Sequence, residues 1–168
     1  MPYKKGPNGT LRYYDSSTGK YCNDPAFSIK PTIHKKSVEQ KEKERREILE
    51  HLAQKSKDAH LYEIYSLLEK IHPGTTRHIN SVYFDKTTRK QRELDIITSK
   101  AIYEIKSGKR GRHLKQFLSQ MEIAKNLGKD HVVYSPGITD YQVKHLRKIG
   151  IKAYNKIKDL EEMEKNRK

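Results

Sequence analysis

The chain has 168 residues, with 36 Lys and Arg against 21 Asp and Glu and a formal net charge of +15 at pH 7. That length holds one ordinary domain plus an appendage of a few dozen residues, not two full domains, and the positive field points to a polyanionic partner. No run of about 18 apolar residues is available to span a membrane, and a single cysteine, Cys22, excludes an internal disulfide or a zinc site built on paired cysteines.

Residues 1–34 hold much of the Gly, Pro and Asn. Leu11–Tyr21 reads as two short aromatic strands around a turn at Ser16–Gly19. Thr18-Gly19-Lys20 is not a phosphate loop, because Tyr21 and Tyr14 stand where the hydroxyl residue and the first glycine belong. Met1–Gly6 lacks the apolar stretch of a secretory signal, so a reducing, cytoplasmic setting is expected. Lys35–Lys57 is dominated by charge, with Val38, Ile48, Leu49 and Leu52 as a thin apolar stripe, and reads as a solvated linker helix.

From Asp58 the pattern changes. Leu61, Ile64, Tyr65, Leu67, Leu68 and Ile71 give a wide apolar helical face, ended by His72-Pro73-Gly74. Ile79–Phe84, Arg92–Thr98 and Ala101–Lys106 alternate or are β-branched and predict a three-strand meander, with turns at Asp85–Lys90 and Ser99-Lys100. Arg112–Leu127 is an amphipathic helix stopped by Gly128. His131–Tyr134 is a short buried strand, Thr139 caps a helix to about Lys148, and Ile151–Tyr154 is a last strand. The expected organisation is an extension and linker over 1–57, an α/β domain with a mixed central sheet over 58–156, and a charged C-terminal helix or tail, prone to fray, over 157–168.

On Arg92–Ile97, period-2 alternation puts Glu93 and Asp95 on one face and Leu94 and Ile96 on the other. On Tyr103–Lys106, Glu104 and Lys106 share a face. An antiparallel turn at Ser99-Lys100 in a suitable register brings three carboxylates and an ammonium onto one side of the sheet. Such a cluster repels itself, and a hard divalent cation relieves the repulsion, so Asp95 and Glu104 are the expected ligands of Mg²⁺ or Mn²⁺. The ion polarises a phosphoryl oxygen and acidifies water, while Lys106 orients that water or offsets developing charge. Glu104 and Lys106 alone would equally be a salt pair on a solvated sheet face. Asp95, eight intervening residues and then Glu-x-Lys on paired strands is the more specific pattern.

This element order, with Asp95, Glu104 and Lys106, resembles the PD-(D/E)XK nuclease superfamily, which includes restriction enzymes, junction resolvases and nuclease toxins. The resemblance covers roughly residues 58–154 and implies a restriction-endonuclease-like αβββαβ core flanked by helices. It also implies a further acidic metal ligand on the first core helix, for which Glu63 is the candidate and Glu69 the fallback. By the same resemblance the backbone carbonyl of Ile105 is a metal ligand, and Gln116, in competition with Gln120, is an auxiliary polar residue. Leu94 stands where the family's proline usually precedes the Asp.

Lys109, Arg110, Arg112, His113 and Lys115 follow the catalytic strand and open the next helix; Lys109, Arg110, Arg112 and Lys115 are the candidate nucleic-acid contacts, positioning a phosphate backbone without reading its sequence. Glu104-Ile105-Lys106-Ser107-Gly108 followed by a basic loop is similar to nuclease domains of bacterial polymorphic and contact-dependent toxins. That similarity implies tRNA or DNA as substrate and a small immunity protein as partner. Two other readings stand beside it. One is a phage or mobile-element DNA endonuclease or junction resolvase, favoured by the absence of a delivery segment before Met1. The other is a basic nucleic-acid-binding module without catalysis. The eight histidines form no His-Glu-x-x-His pair, and Arg77-His78-Ile79-Asn80 lacks partners for a histidine nuclease. Cys22 has no defined base nearby in sequence to make it a nucleophile.

Overall fold

The computed structural model describes residues 3–5, 11–15, 20–22, 36–86, 88–107 and 113–168. The chain divides into two units, Met1–Ser37 and Val38–Lys168. In the first, β1 (Tyr3–Lys5), β2 (Leu11–Asp15) and β3 (Lys20–Cys22) form an antiparallel sheet, with Tyr14 opposite Tyr21 and Tyr3 opposite Tyr13. The two expected aromatic strands are there, joined by a third from residues 3–5; the turn at 16–19 lies outside the described residues.

The second unit begins with α1 (Val38–Lys55) and α2 (Ala59–Ile71). Asp58 caps α2, its side chain accepting the His60 N–H at 2.9 Å, and Leu61, Ile64, Tyr65 and Leu68 turn inward at helical spacing. A meander follows, built of β4 (Thr76–Asp85), β5 (Lys90–Thr98) and β6 (Ala101–Ile105). Then α3 (Leu114–Asn126) crosses over to β7 (Asp130–Tyr134), and α4 (Asp140–Lys148) crosses to β8 (Lys152–Tyr154). The five strands lie in chain order in one sheet, antiparallel from β4 to β6 and parallel from β6 to β8. Parallel neighbours need a crossover, and α3 and α4 supply the two. Gly128, at φ 65°, takes the left-handed conformation that ends α3, and Lys129 N–H returns to the Ala124 carbonyl at 2.8 Å.

The core is layered on both faces of this sheet. Ile79, Ile96, Tyr103, Ile105, Val132 and Tyr134 pack with the inward residues of α1 and α2, whereas Val133 and Ala153 pack with Phe117 of α3 and with Val143 and Leu146 of α4. Two expectations are revised. The helix over Val38–Lys55 is not a linker: Leu49 and Ala53 are buried against α2 and β4, and the division falls at Ser37/Val38, twenty residues before Asp58. At the C-terminus the expected charged helix is there as α5 (Ile157–Lys165), but it is no fraying appendage, because it buries Leu160 in the main core and carries Glu164 fully inside. Among the described residues no helix is long and apolar enough to cross a membrane.

Candidate active site

The antiparallel pairing of β5 and β6 joins Ile96 with Tyr103 and Ile97 with Ile102, a register that sets Asp95 opposite Glu104. At that point Asp95 Oδ2, not a backbone carbonyl, accepts the Ile105 N–H at 2.7 Å. Across the other edge of β5, Ile79 pairs with Ile96 and Ser81 with Leu94, and the residue between, Asn80, has φ 49°. A left-handed residue inside a strand re-aims the chain. The alternation expected along β5 breaks here: Ile96 packs in the α2-side core, while Leu94 packs with Ile102, Ile123 and Ala124 under α3.

Glu104 is not on a wet face. It is 1% exposed, covered by α3. Its Oε1 accepts Gln116 Nε2 at 2.9 Å and pairs with Lys106 Nζ at 2.5 Å, and its Oε2 accepts Gln120 Nε2 at 2.6 Å. Gln116 and Gln120, which the resemblance set in competition for one auxiliary role, are one helical turn apart on α3 and both donate to the Glu104 carboxylate. Burial raises the Glu104 carboxyl above its ordinary range, against the opposing pull of Lys106 and Gln120. Asp95 is pushed up to about 7, first by burial and then by the Glu104 charge, with the Ile105 N–H and Lys106 opposing.

These groups open on a polar cleft of about 490 Å³, whose wall includes Asp95, Glu104, Ile105, Lys106 and Gln116. Four residues where α1 gives way to α2 also line it, Lys55, Ser56, Lys57 and Asp58, together with Asn80 and Glu93. Glu63, expected as a ligand by resemblance, is outside the cleft. The inward set of α2 leaves position 63 on the exposed flank, where its carboxylate meets His60 Nδ1 at 3.2 Å. Glu69 is no substitute, since it accepts the Gly74 N–H at 3.2 Å beyond the far end of α2. The acid that α2 brings to the cleft is its cap, Asp58, whose Oδ2 accepts the Ser107 hydroxyl at 2.6 Å. The sequence signal for Asp58 existed, an Asp just ahead of an apolar helix, but it marks a cap before it marks a site. Lys115 is exposed on the first turn of α3 and does not line the cleft; Lys109, Arg110 and Arg112 lie outside the described residues.

The donor set is made of oxygens, which suits a hard divalent ion. Among the described residues no three His, Cys, Asp or Glu side chains form a ready-made metal cluster. Two neighbouring carboxylates, one held at about 7 by burial and by the other's charge, are nonetheless a pair whose repulsion a cation would relieve. No family model, curated protein or solved structure matches this chain.

Proposed function

We propose that the unit Val38–Lys168 is a metal-dependent nuclease with a restriction-endonuclease-like core, hydrolysing phosphodiester bonds of DNA or RNA. The observation that carries this reading is the juxtaposition of half-buried Asp95 and buried Glu104, with Lys106 beside them, in a polar cleft. The order of α2, the β4–β6 meander, α3 and parallel β7 supports the αβββαβ core. Asp95, Glu104 and the Ile105 carbonyl would hold Mg²⁺ or Mn²⁺, with waters and a substrate phosphate filling the remaining positions. Bound there, the ion supplies charge to a phosphoryl oxygen and lowers the pKa of water.

The chain's own residues prepare that step. Gln116 and Gln120 fix the Glu104 rotamer from one side, and the Ile105 N–H fixes Asp95 from the other, so little reorganisation is needed when substrate arrives. Lys106 sits within reach of the same cleft to orient water or to offset charge on the phosphorane-like transition state. Lys55 and Lys57 line the same cleft and suit the flanking phosphates. The toxin setting, with an immunity protein as partner, rests on the resemblance of Glu104–Gly108 and its basic loop.

The test is incubation of the full chain with Mg²⁺ and plasmid, single-stranded DNA or total tRNA. Cleavage is expected with at least one substrate and its loss with chelator. Asp95→Asn and Lys106→Ala should each lower the rate by about 10²-fold or more while leaving nucleic-acid binding intact. Binding without any divalent-dependent cleavage by the parent chain would leave a basic binding module, in which the Glu104–Lys106 ion pair is merely structural.

A further inference from the structure

A second cavity lies on the same end of the sheet as the cleft. β6 and β7 run parallel with Ile105 beside Tyr134, and α3 follows the one strand and α4 the other. The first turns of both helices therefore stand at the carboxyl ends of the strands, where open α/β sheets receive their ligands. Between those turns is an apolar cavity of about 330 Å³, floored by buried Phe117, Ile138 and Leu146 and rimmed by Leu114, Tyr141 and His145. Its volume falls in the range of small-molecule sites, roughly 300–1,000 Å³. Tyr141 is 79% exposed. An aromatic ring that covers no core is free to offer its face to a planar partner.

Cleft and cavity share one element. Leu114 lines the cavity and Gln116 the cleft, two residues apart on α3. The helix between them is about 10–12 Å across, about three phosphate steps of one duplex strand at ~3.4 Å each and fewer in a stretched single strand. Lys115 and Lys144 are exposed cations, each next in sequence to a lining residue, Leu114 and His145. The occupant that fits an apolar floor, an aromatic rim, two polar edges from Gln142 and His145, and cations outside is a planar heterocycle on a phosphate chain.

We propose that this cavity binds an unpaired nucleobase of the strand being cut, stacked against Tyr141, so that the enzyme acts on single-stranded or locally unpaired nucleic acid. The inference rests on the nuclease reading of the cleft and deepens it by naming the substrate class. A base inside a duplex keeps its neighbours on both faces and cannot enter such a cavity without being extruded.

Tyr141→Ala removes the stacking face at an exposed position, and Tyr141→Phe restores it. The full chain is titrated in chelator with a single-stranded oligonucleotide carrying 2-aminopurine, in deoxy and ribo forms, and with the matched duplex; cleavage is measured separately with Mg²⁺. We expect the probe's fluorescence to be quenched on binding to the parent and to Tyr141→Phe. Tyr141→Ala should lose the quenching and bind the single strand about tenfold more weakly, the size of one base–aromatic stack, with duplex affinity unchanged. Equal loss on both substrates would make Tyr141 a general backbone contact and overturn the base site. Unchanged quenching in Tyr141→Ala would also overturn it, leaving the cavity for another occupant such as an apolar protein side chain, while parent cleavage with Mg²⁺ keeps the nuclease reading. Base-specific quenching by a parent that never cleaves sinks the nuclease reading and retains the pocket.

Discussion

Asp95 and Glu104 face the same difficulty, since each is a carboxylate taken out of water beside another carboxylate. For Asp95 the consequence has a definite sign. Its carboxyl is raised from 3.8 to about 7, so the folded chain holds that proton more firmly than the unfolded chain does. The contribution to stability is fully present below about 4 and is lost as pH rises through about 7. Asp95→Asn keeps an acceptor for the Ile105 N–H and removes the charge. Without divalent metal, the variant should therefore melt above the parent at pH 8, by about 2–4 °C for each kcal/mol relieved, and the difference should shrink towards pH 5. Adding Mg²⁺ at about a hundred times its dissociation constant should raise the parent's stability by about 2.7 kcal/mol and that of Asp95→Asn far less. A parent whose melting ignores both pH and Mg²⁺ would mean that the carboxylate pair is not strained and holds no ion. Glu93 supplies the control. It is exposed on the cleft wall, and its backbone carbonyl takes a long 3.4 Å bond from Gln120, so Glu93→Gln should slow cleavage much less than Asp95→Asn does.

At the scale of elements, α5 shows how a charged segment becomes part of a core. Glu164 is fully buried and accepts the Tyr103 hydroxyl, while Arg167 reaches it at 3.0 Å and Asp130 at 2.5 Å. Tyr103 is the residue before Glu104, so α5 braces the strand that carries the site. Glu164→Ala leaves Arg167 and the tyrosine hydroxyl short of a partner and should cost about 3–5 kcal/mol, read as a lowered denaturant midpoint. Glu164→Gln, which can still accept from Tyr103, should lose less. None of this was visible in a charged C-terminal sequence, because the partner lies 61 residues away. The linker reading of α1 failed for a related reason. Its buried contacts are Leu49 and Ala53, while Ile48 is 60% exposed, and a single alanine does not stand out in an apolar count. What periodicity states directly it stated well: α2, the meander, α3 and its glycine stop, and the β7–β8 strands. The Asp95–Glu104 pairing was legible from the short turn between two alternating strands. The face switch at Leu94 was not, since it accompanies the backbone of Asn80, to which side-chain patterns are blind.

Across the whole molecule, 36 basic residues against 21 acidic ones impose a field that no single contact explains. Among these cations Lys55 and Lys57 line the cleft, Lys115 is exposed on the first turn of α3, and Lys109, Arg110 and Arg112 fall in the sequence between β6 and α3, outside the described residues. If they meet phosphates, each contact releases condensed counterions, and affinity for nucleic acid falls with salt at a slope of about 0.7–0.9 per contact. Five contacts would weaken duplex binding on the order of several hundredfold between 50 and 200 mM salt. Changing Lys109, Arg110 and Arg112 together to Ala should then reduce the slope by about two to three and weaken binding to all sequences alike, because phosphate contacts carry no base information. Chemistry should be spared: KM should rise while kcat at saturating substrate stays near that of the parent, since these residues hold the strand and Asp95, Glu104 and Lys106 act on it. A triple variant with an unchanged salt slope would make that segment a solvated turn. A fall in kcat at unchanged KM would instead draw those cations into the reaction itself, where they would share the charge stabilisation assigned here to Lys106.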